Sequence, residues 1–249
     1  MSAPLLGLVT IGQAPRVDLT PDVTAVLAGL AVVEHGALDD LAPEALGTVA
    51  PDPGEAPLAS RLRDGSGVVI GHRALAPLLA GAVARCAADG AAAVLVLCTG
   101  HLGAIASDIP VLYAEPLAQA GVRGIIGADR LSIVNPMADQ VAEATGRWSS
   151  VLGRPVLGEH ANPYTEPTEA VARAAAALAA QGAQWVFLDC VGYCEAMREA
   201  AAEASGLPVL LARTLAARLA AEAALAVGPA AMPGRSASSN AAPGPSRCC

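Results

Sequence analysis

The sequence contains no lysine; all 15 of its basic residues are arginine. That absence excludes two chemistries outright, because a Schiff base to pyridoxal phosphate and the phosphate grip of a P-loop both need a lysine amine. Aromatic residues are nearly as scarce, with one Phe, two Trp and three Tyr. Few rings on which to stack bases, together with a net charge of -8, argue against a nucleic-acid partner. No Gly-x-Gly-x-x-Gly turn follows the first apolar run, so neither a nicotinamide nor a flavin is expected, and no cofactor is called for. Uncharged stretches of bilayer length are missing too. The longest apolar segment, residues 207–227, is broken by Arg213, Arg218 and Glu222, so no membrane partner is expected. No basic flank with an apolar core and a small-residue cleavage site opens the chain. Six cysteines are too sparse for a disulfide scaffold of 249 residues. A cytoplasmic protein with reduced thiols is the expectation.

What the chain does have is aliphatic residues in abundance, within a hydrophobic content of 54%. An interior of Val, Leu, Ile and Ala suits helices packed on parallel sheets. The most informative feature is an internal repeat. Residues 87–98 read AADGAAAVLVLC and residues 179–190 read AAQGAQWVFLDC, identical at six positions without a gap. Ahead of each copy lies an alanine-rich helical run, 74–88 and 169–180, closed by Gly90 or Gly182 where a left-handed turn ends a helix. Each copy ends in a short apolar strand and a cysteine, Cys98 or Cys190. A short helix and a second strand, 109–113 or 207–211, are expected beyond each. Strands opening the halves are expected at 5–11 and 122–126, and the stretch 39–63 reads as loop and connection.

The expected architecture is α/β, with two pseudo-symmetric Rossmann-like halves, each a doubly wound parallel sheet, and a cleft between them. The first half spans 1–120 and the second 121–212. Residues 213–228 form a C-terminal helix with the first half as its packing partner, and 229–249 is a disordered tail ending in Cys248 and Cys249. Ligands of such sheets bind outside the carboxyl ends of the strands, where Cys98 and Cys190 fall. A cysteine at a strand end is commonly just a small apolar side chain, but two at equivalent mouths call for another reason. Helices starting near Thr99–Gly100 and Val191–Gly192 would lower both thiol pKa values. Two thiols flanking one carbon can take a proton from one face and return it to the other, inverting a stereocentre without a cofactor.

The segments GLVTIGQAPRVD (7–18), LCTGHL (97–102), ANPYTEP (161–167), LDCVGYC (188–194) and LPVLLARTLAARLAAEAAL (207–225) resemble the AroM family, a branch of the aspartate/glutamate racemase superfamily. The resemblance covers residues 3–226. It implies two Rossmann-like domains in pseudo-symmetry and cofactor-independent acid–base or covalent cysteine chemistry on a small carboxylate. Racemases of the superfamily carry Cys-Asn-Thr at the first site, where this chain has Cys98-Thr99-Gly100. They carry Gly-Cys-Thr-Glu or Gly-Cys-Thr-His at the second, where it has Asp189-Cys190-Val191-Gly192. Thr99 keeps a hydroxyl for substrate at the first site.

With Cys98 and Cys190 as catalytic candidates, the loops that reach such a cleft nominate the rest. Arg16, in the turn after the first strand, has a fork suited to a bidentate carboxylate, and Gln13 would orient the same ligand. Asn162 and Tyr164 bring donors and acceptors to a small polar substrate, although Asn162-Pro163 also makes a simple turn. Asp189, a carboxylate within an apolar strand, needs a partner; it either tunes Cys190 or bonds helix-end backbone donors. His101, one turn along a helix from Cys98, is a thiol partner or a structural residue. Cys86 belongs to the core. Cys98, His101, Cys190 and Cys194 lack the Cys-x2-Cys spacing of a zinc knuckle, and no metal is expected. Three functions remain open: a two-cysteine racemase or isomerase, a one-cysteine decarboxylase or maleate-type isomerase, and a non-catalytic binding or regulatory protein. The partner in each is a small carboxylate, and a homodimer is compatible with all three.

Overall fold

The computed structural model describes residues 3–27 and 29–228, so the expected tail at 229–249, with Cys248 and Cys249, lies outside the described residues. The first half runs β1 (Leu5–Thr10), α1 (Thr20–Ala25), β2 (Ala31–Gly36), a 3-10 turn (Pro43–Val49), β3 (Leu58–Arg61), β4 (Gly67–Ile70), α2 (His72–Ala88), β5 (Ala93–Leu97), β6 (Val111–Tyr113) and α3 (Ala114–Ile126). The second runs β7 (Leu131–Asn135), a 3-10 turn (Ala138–Gln140), α4 (Val141–Leu152), β8 (Leu157–His160), α5 (Thr168–Ala180), β9 (Trp185–Leu188), α6 (Glu195–Ser205), β10 (Val209–Leu211) and α7 (Ala212–Val227).

The two main sheets match strand for strand. One has the order β2-β1-β5-β6 and the other β8-β7-β9-β10, and every neighbouring pair is parallel. Thr10 pairs with Leu97 and Val134 with Leu188, so both cysteines leave their sheets at the carboxyl edge. Gly90 and Gly182, with φ of 87° and 90°, follow the equivalent helices α2 and α5 as the repeat implies.

Period two divides the first sheet's side chains between two cores. Leu6, Leu8, Leu95 and Leu97 face one side, while Val9, Ile11, Val94 and Val96 face α2 on the other. Cys86 of α2 lies against Gly7, where an added Cβ would come within 2.8 Å of its Sγ, so it is a packing residue as expected. The covering helices are exchanged between the halves. α7, the last helix of the second half, lays Ala216, Ala217, Ala220 and Ala224 on Leu6, Leu8, Leu95 and Leu97 of the first sheet. α3, the last helix of the first half, packs Ala118, Val122 and Ile126 with Ile133, Trp148 and Phe187 of the second.

Three expectations are corrected. Val122–Ile126 is the end of α3 and not a strand. Ala114, Ala118, Val122 and Ile126 recur every four residues and all are buried, a helical stripe that a five-residue window cannot reveal. The next strand after α3 is β7, beginning at Leu131. No helix follows Cys98, since residues 101–110 lack regular structure; a helix, α6, follows only Cys190. Within the stretch read as connection, β3 forms an antiparallel hairpin with β4. Its pattern is strand-like, with Leu58 and Ser60 buried and Ala59 exposed between them. No helix among the described residues is long and apolar enough to cross a membrane.

Candidate active site

At the facing carboxyl edges of the two sheets lies a cavity of about 70 Å³. Cys98 and Cys190 both line it, and their surroundings repeat. The Cys98 Sγ accepts a hydrogen bond from the Gly100 N–H at 3.3 Å, and the Cys190 Sγ accepts one from the Gly192 N–H at the same 3.3 Å. Thr99 joins the two cysteine loops directly, its Oγ1 donating to the Asp189 carbonyl at 3.3 Å.

The thiols are not activated in the way helix N-termini would activate them. Thr99–Gly100 starts no helix, and α6 begins only at Glu195. Burial pushes the Cys98 thiol up to about 12, with the Gly100 N–H acting against it. Burial raises Cys190 too, opposed by the Gly192 N–H and by Tyr164. The Tyr164 hydroxyl stands 3.8 Å from the Cys190 Sγ. Its seat requires Gly192, where an added Cβ would fall 2.5 Å from the tyrosine ring and hydroxyl. The Arg61 guanidinium covers that ring at 4.8 Å and donates to the Tyr164 carbonyl at 3.0 Å, a clamp from the first half onto the second.

The AroM protein family model matches residues 6–224. The chain belongs to the AroM family. Solved structures of the aspartate/glutamate racemase fold resemble it over nearly their whole length. Allantoin racemase from Klebsiella pneumoniae is 15% identical with a TM-score of 0.60, covering 95% of this chain and 96% of its own. A maleate cis-trans isomerase variant from Nocardia farcinica, holding a covalently bound succinylcysteine intermediate, is 19% identical with a TM-score of 0.59, covering 90% and 93%. Unliganded arylmalonate decarboxylase is 18% identical with a TM-score of 0.55, covering 93% and 96%. At these identities the likeness is one of fold. No curated protein sequence matches the chain.

In this AroM-family chain the other expected residues separate into two groups. Arg16, Thr99, Tyr164 and Asp189 line the cavity with the cysteines. Arg16, however, is not an open clamp. Its Nε and Nη2 grip both oxygens of Asp18 at 2.8 Å, and Nη1 donates to Thr10 Oγ1 at 3.1 Å. It is 2% exposed and lines the cavity as one half of a bidentate ion pair with Asp18. Asp189 accepts a 2.8 Å bond from the Trp148 indole of α4, not from helix-end backbone. Burial raises its carboxyl from the ordinary 3.8 to about 6, in spite of that bond.

Gln13, Asn162 and His101 fall outside the cavity wall. Gln13 spends its amide on the Leu38 carbonyl at 3.2 Å and the Arg63 N–H at 3.1 Å, because its side chain turns toward the hairpin base. Asn162 folds onto its own turn, accepting from the Tyr164 N–H at 2.8 Å, so it positions Tyr164 instead of meeting a ligand. His101 is 83% exposed and 3.5 Å from Glu115; without a helix after Cys98, nothing turns it back toward the thiol.

Sequence reasoning overlooked four residues. Ser60 and Arg147 line the cavity, from β3 and α4. Gln140 also lines it and ties the second half to the hairpin by donating to the Pro57 carbonyl at 3.1 Å. Arg213 of α7 is fully buried, donating to the Val191 and Gly192 carbonyls at 2.8 and 2.7 Å. Its Nη1 reaches the Asp18 carbonyl and the Asp22 carboxylate, both at 3.0 Å. It thereby fixes the Cys190 loop against the first half. An arginine amid an alanine-rich helix is the signal that marks it.

Proposed function

We propose that this chain is a cofactor-independent isomerase of the racemase kind, acting on a small carboxylic or amino acid by proton transfer between Cys98 and Cys190. The observation that carries the reading is the matched pair: two thiols at equivalent strand ends, each with the backbone N–H two residues on, lining one cavity. One sulfur, as thiolate, removes the proton α to the carboxylate, and the C–H electron pair passes into an enediolate. The other sulfur, as thiol, delivers its proton to the opposite face, so the enzyme ends with thiol and thiolate exchanged. The two thiols are not equivalent. Cys98, pushed up to about 12, suits the donor. Cys190, beside the Gly192 N–H and the Tyr164 hydroxyl, suits the thiolate. Arg16, paired with Asp18, lines the cavity with the cationic end of that ion pair, an oriented dipole for the developing enediolate.

The cavity limits the substrate. One water occupies roughly 10–15 Å³ of such space, so about 70 Å³ holds on the order of five to seven non-hydrogen atoms, the size of a three- or four-carbon acid. The test is incubation with a panel of small chiral acids in deuterium oxide. Exchange at the α carbon with inversion is expected. Cys98→Ser and Cys190→Ser should each abolish inversion while leaving exchange into one enantiomer. A second reading, a one-thiol decarboxylase or covalent isomerase, gains support from Tyr164, which partners Cys190 but not Cys98. Under it, Cys98→Ser stays active. If acids bind with both cysteines dispensable, the protein is a binding module.

A further inference from the structure

Ser60 lies in β3, on the hairpin inserted between β2 and α2, where the second half passes from β8 directly to α5. It is 4% exposed, and its Oγ has no hydrogen-bond partner among the described residues. The residue lines the same cavity as the two thiols. An added Cβ at Gly12 would fall 2.6 Å from that oxygen, which places Ser60 against the turn that also carries Arg16. Among the described residues lining the cavity, the buried side-chain atoms without a hydrogen-bond partner are Ser60 Oγ and Arg147 Nε, and the Arg147 guanidinium is held by ion pairs with Glu115 and Glu143. Arg16 holds Asp18 and Thr10, and Thr99 donates to the Asp189 carbonyl. A buried hydroxyl left unpaired carries a desolvation penalty that a bound acceptor would relieve.

We infer that Ser60 donates the hydrogen bond that seats the ligand's carboxylate, beside the Arg16–Asp18 ion pair. The inference rests on the carboxylate reading of the cleft. With the Arg16 fork closed on Asp18, the uncommitted hydroxyl supplies the direct donor that an open fork would otherwise provide. A carboxylate only accepts, so the hydroxyl is the donor. The hairpin that carries Ser60 is held from the second half, through Arg61 on Tyr164 and Gln140 on the Pro57 carbonyl.

The test compares the full chain with Ser60→Ala by calorimetric titration with malonate, lactate, glycerate and alanine, alongside thermal melting without ligand. At least one acid should bind the native chain. Ser60→Ala should bind that acid about tenfold more weakly, the loss of one hydrogen bond to a charged group. Its ligand-free melting temperature should equal or exceed the native value, because the substitution removes an unpaired buried hydroxyl. Unchanged affinity, or a lower melting temperature, overturns the inference, since a residue that merely packs would show one or the other. If none of the acids binds the native chain, the carboxylate reading fails in that arm and the role of Ser60 falls with it.

Discussion

Asp189→Asn should make the protein more stable, and by an amount that depends on pH. Asp189 is 5% exposed, and the repeat aligns it with Leu97 of the first half, a position that burial suits to a neutral side chain. Burial raises its carboxyl from 3.8 to about 6, with the Trp148 indole only partly compensating. The folded state therefore holds the proton more tightly than the unfolded chain, and stability falls as pH rises from about 4 to about 6. Above that window the loss is complete. A shift of about two units corresponds to roughly 3 kcal/mol at about 1.4 kcal/mol per unit. Asparagine keeps an oxygen for Trp148 and has no charge to desolvate. Urea denaturation from pH 4 to pH 8 should show no gain for Asp189→Asn at the acid end and up to about 3 kcal/mol at the alkaline end. A gain equal at every pH, or a loss at pH 8, would refute the reasoning.

Further outcomes follow from the same geometry. Iodoacetamide should label Cys190 before Cys98 and Cys86, both of which burial pushes up to about 12, with rates rising about tenfold per pH unit from 7 to 9; peptide mapping distinguishes Cys194, and equal labelling at pH 7 would contradict it. Gly192→Ala forces the Tyr164 ring from its seat, at about 1–3 kcal/mol of overpacking, and should cut turnover or ligand affinity well before it prevents folding, as thermal melts beside titrations would register. Arg213→Met strands the Val191 and Gly192 carbonyls and should destabilise the fold by about 3 kcal/mol or more in urea; a cost below about 1 kcal/mol would mean the clasp is idle.

The repeat at 87–98 and 179–190 made both sheets legible, because helix, glycine, strand and cysteine recur in the alternation that parallel sheets favour. The same local logic misread Val122–Ile126, since five residues are too few to show a period and the stripe that identifies α3 begins at Ala114. Chemistry that depends on identity was visible: two cysteines at strand ends, and a carboxylate at Asp189 that had to find a partner. Chemistry that depends on who stands nearby was not. Whether the Arg16 fork faces a ligand or Asp18 is decided by the turn at residues 16–20, whose backbone bonds hold the two side chains together. Ser60 was hidden because a four-residue strand among prolines and acidic residues resembles a connection, and its value lies in what it fails to touch.

The exchange of α3 and α7 has a consequence for biosynthesis. As the chain emerges from the ribosome, the leucines of β1 and β5 form a sheet whose one face is completed only by α7, the last helix described. The early half cannot finish its interior while it is being made. It must keep those leucines from other chains until residue 227 arrives, which is the circumstance in which nascent proteins lean on chaperones. The late half meets no such delay, because α3 is already waiting when β7 appears. A chain cut between α3 and β7 should thus give two fragments that are insoluble apart and fold when mixed, each supplying the roof of the other.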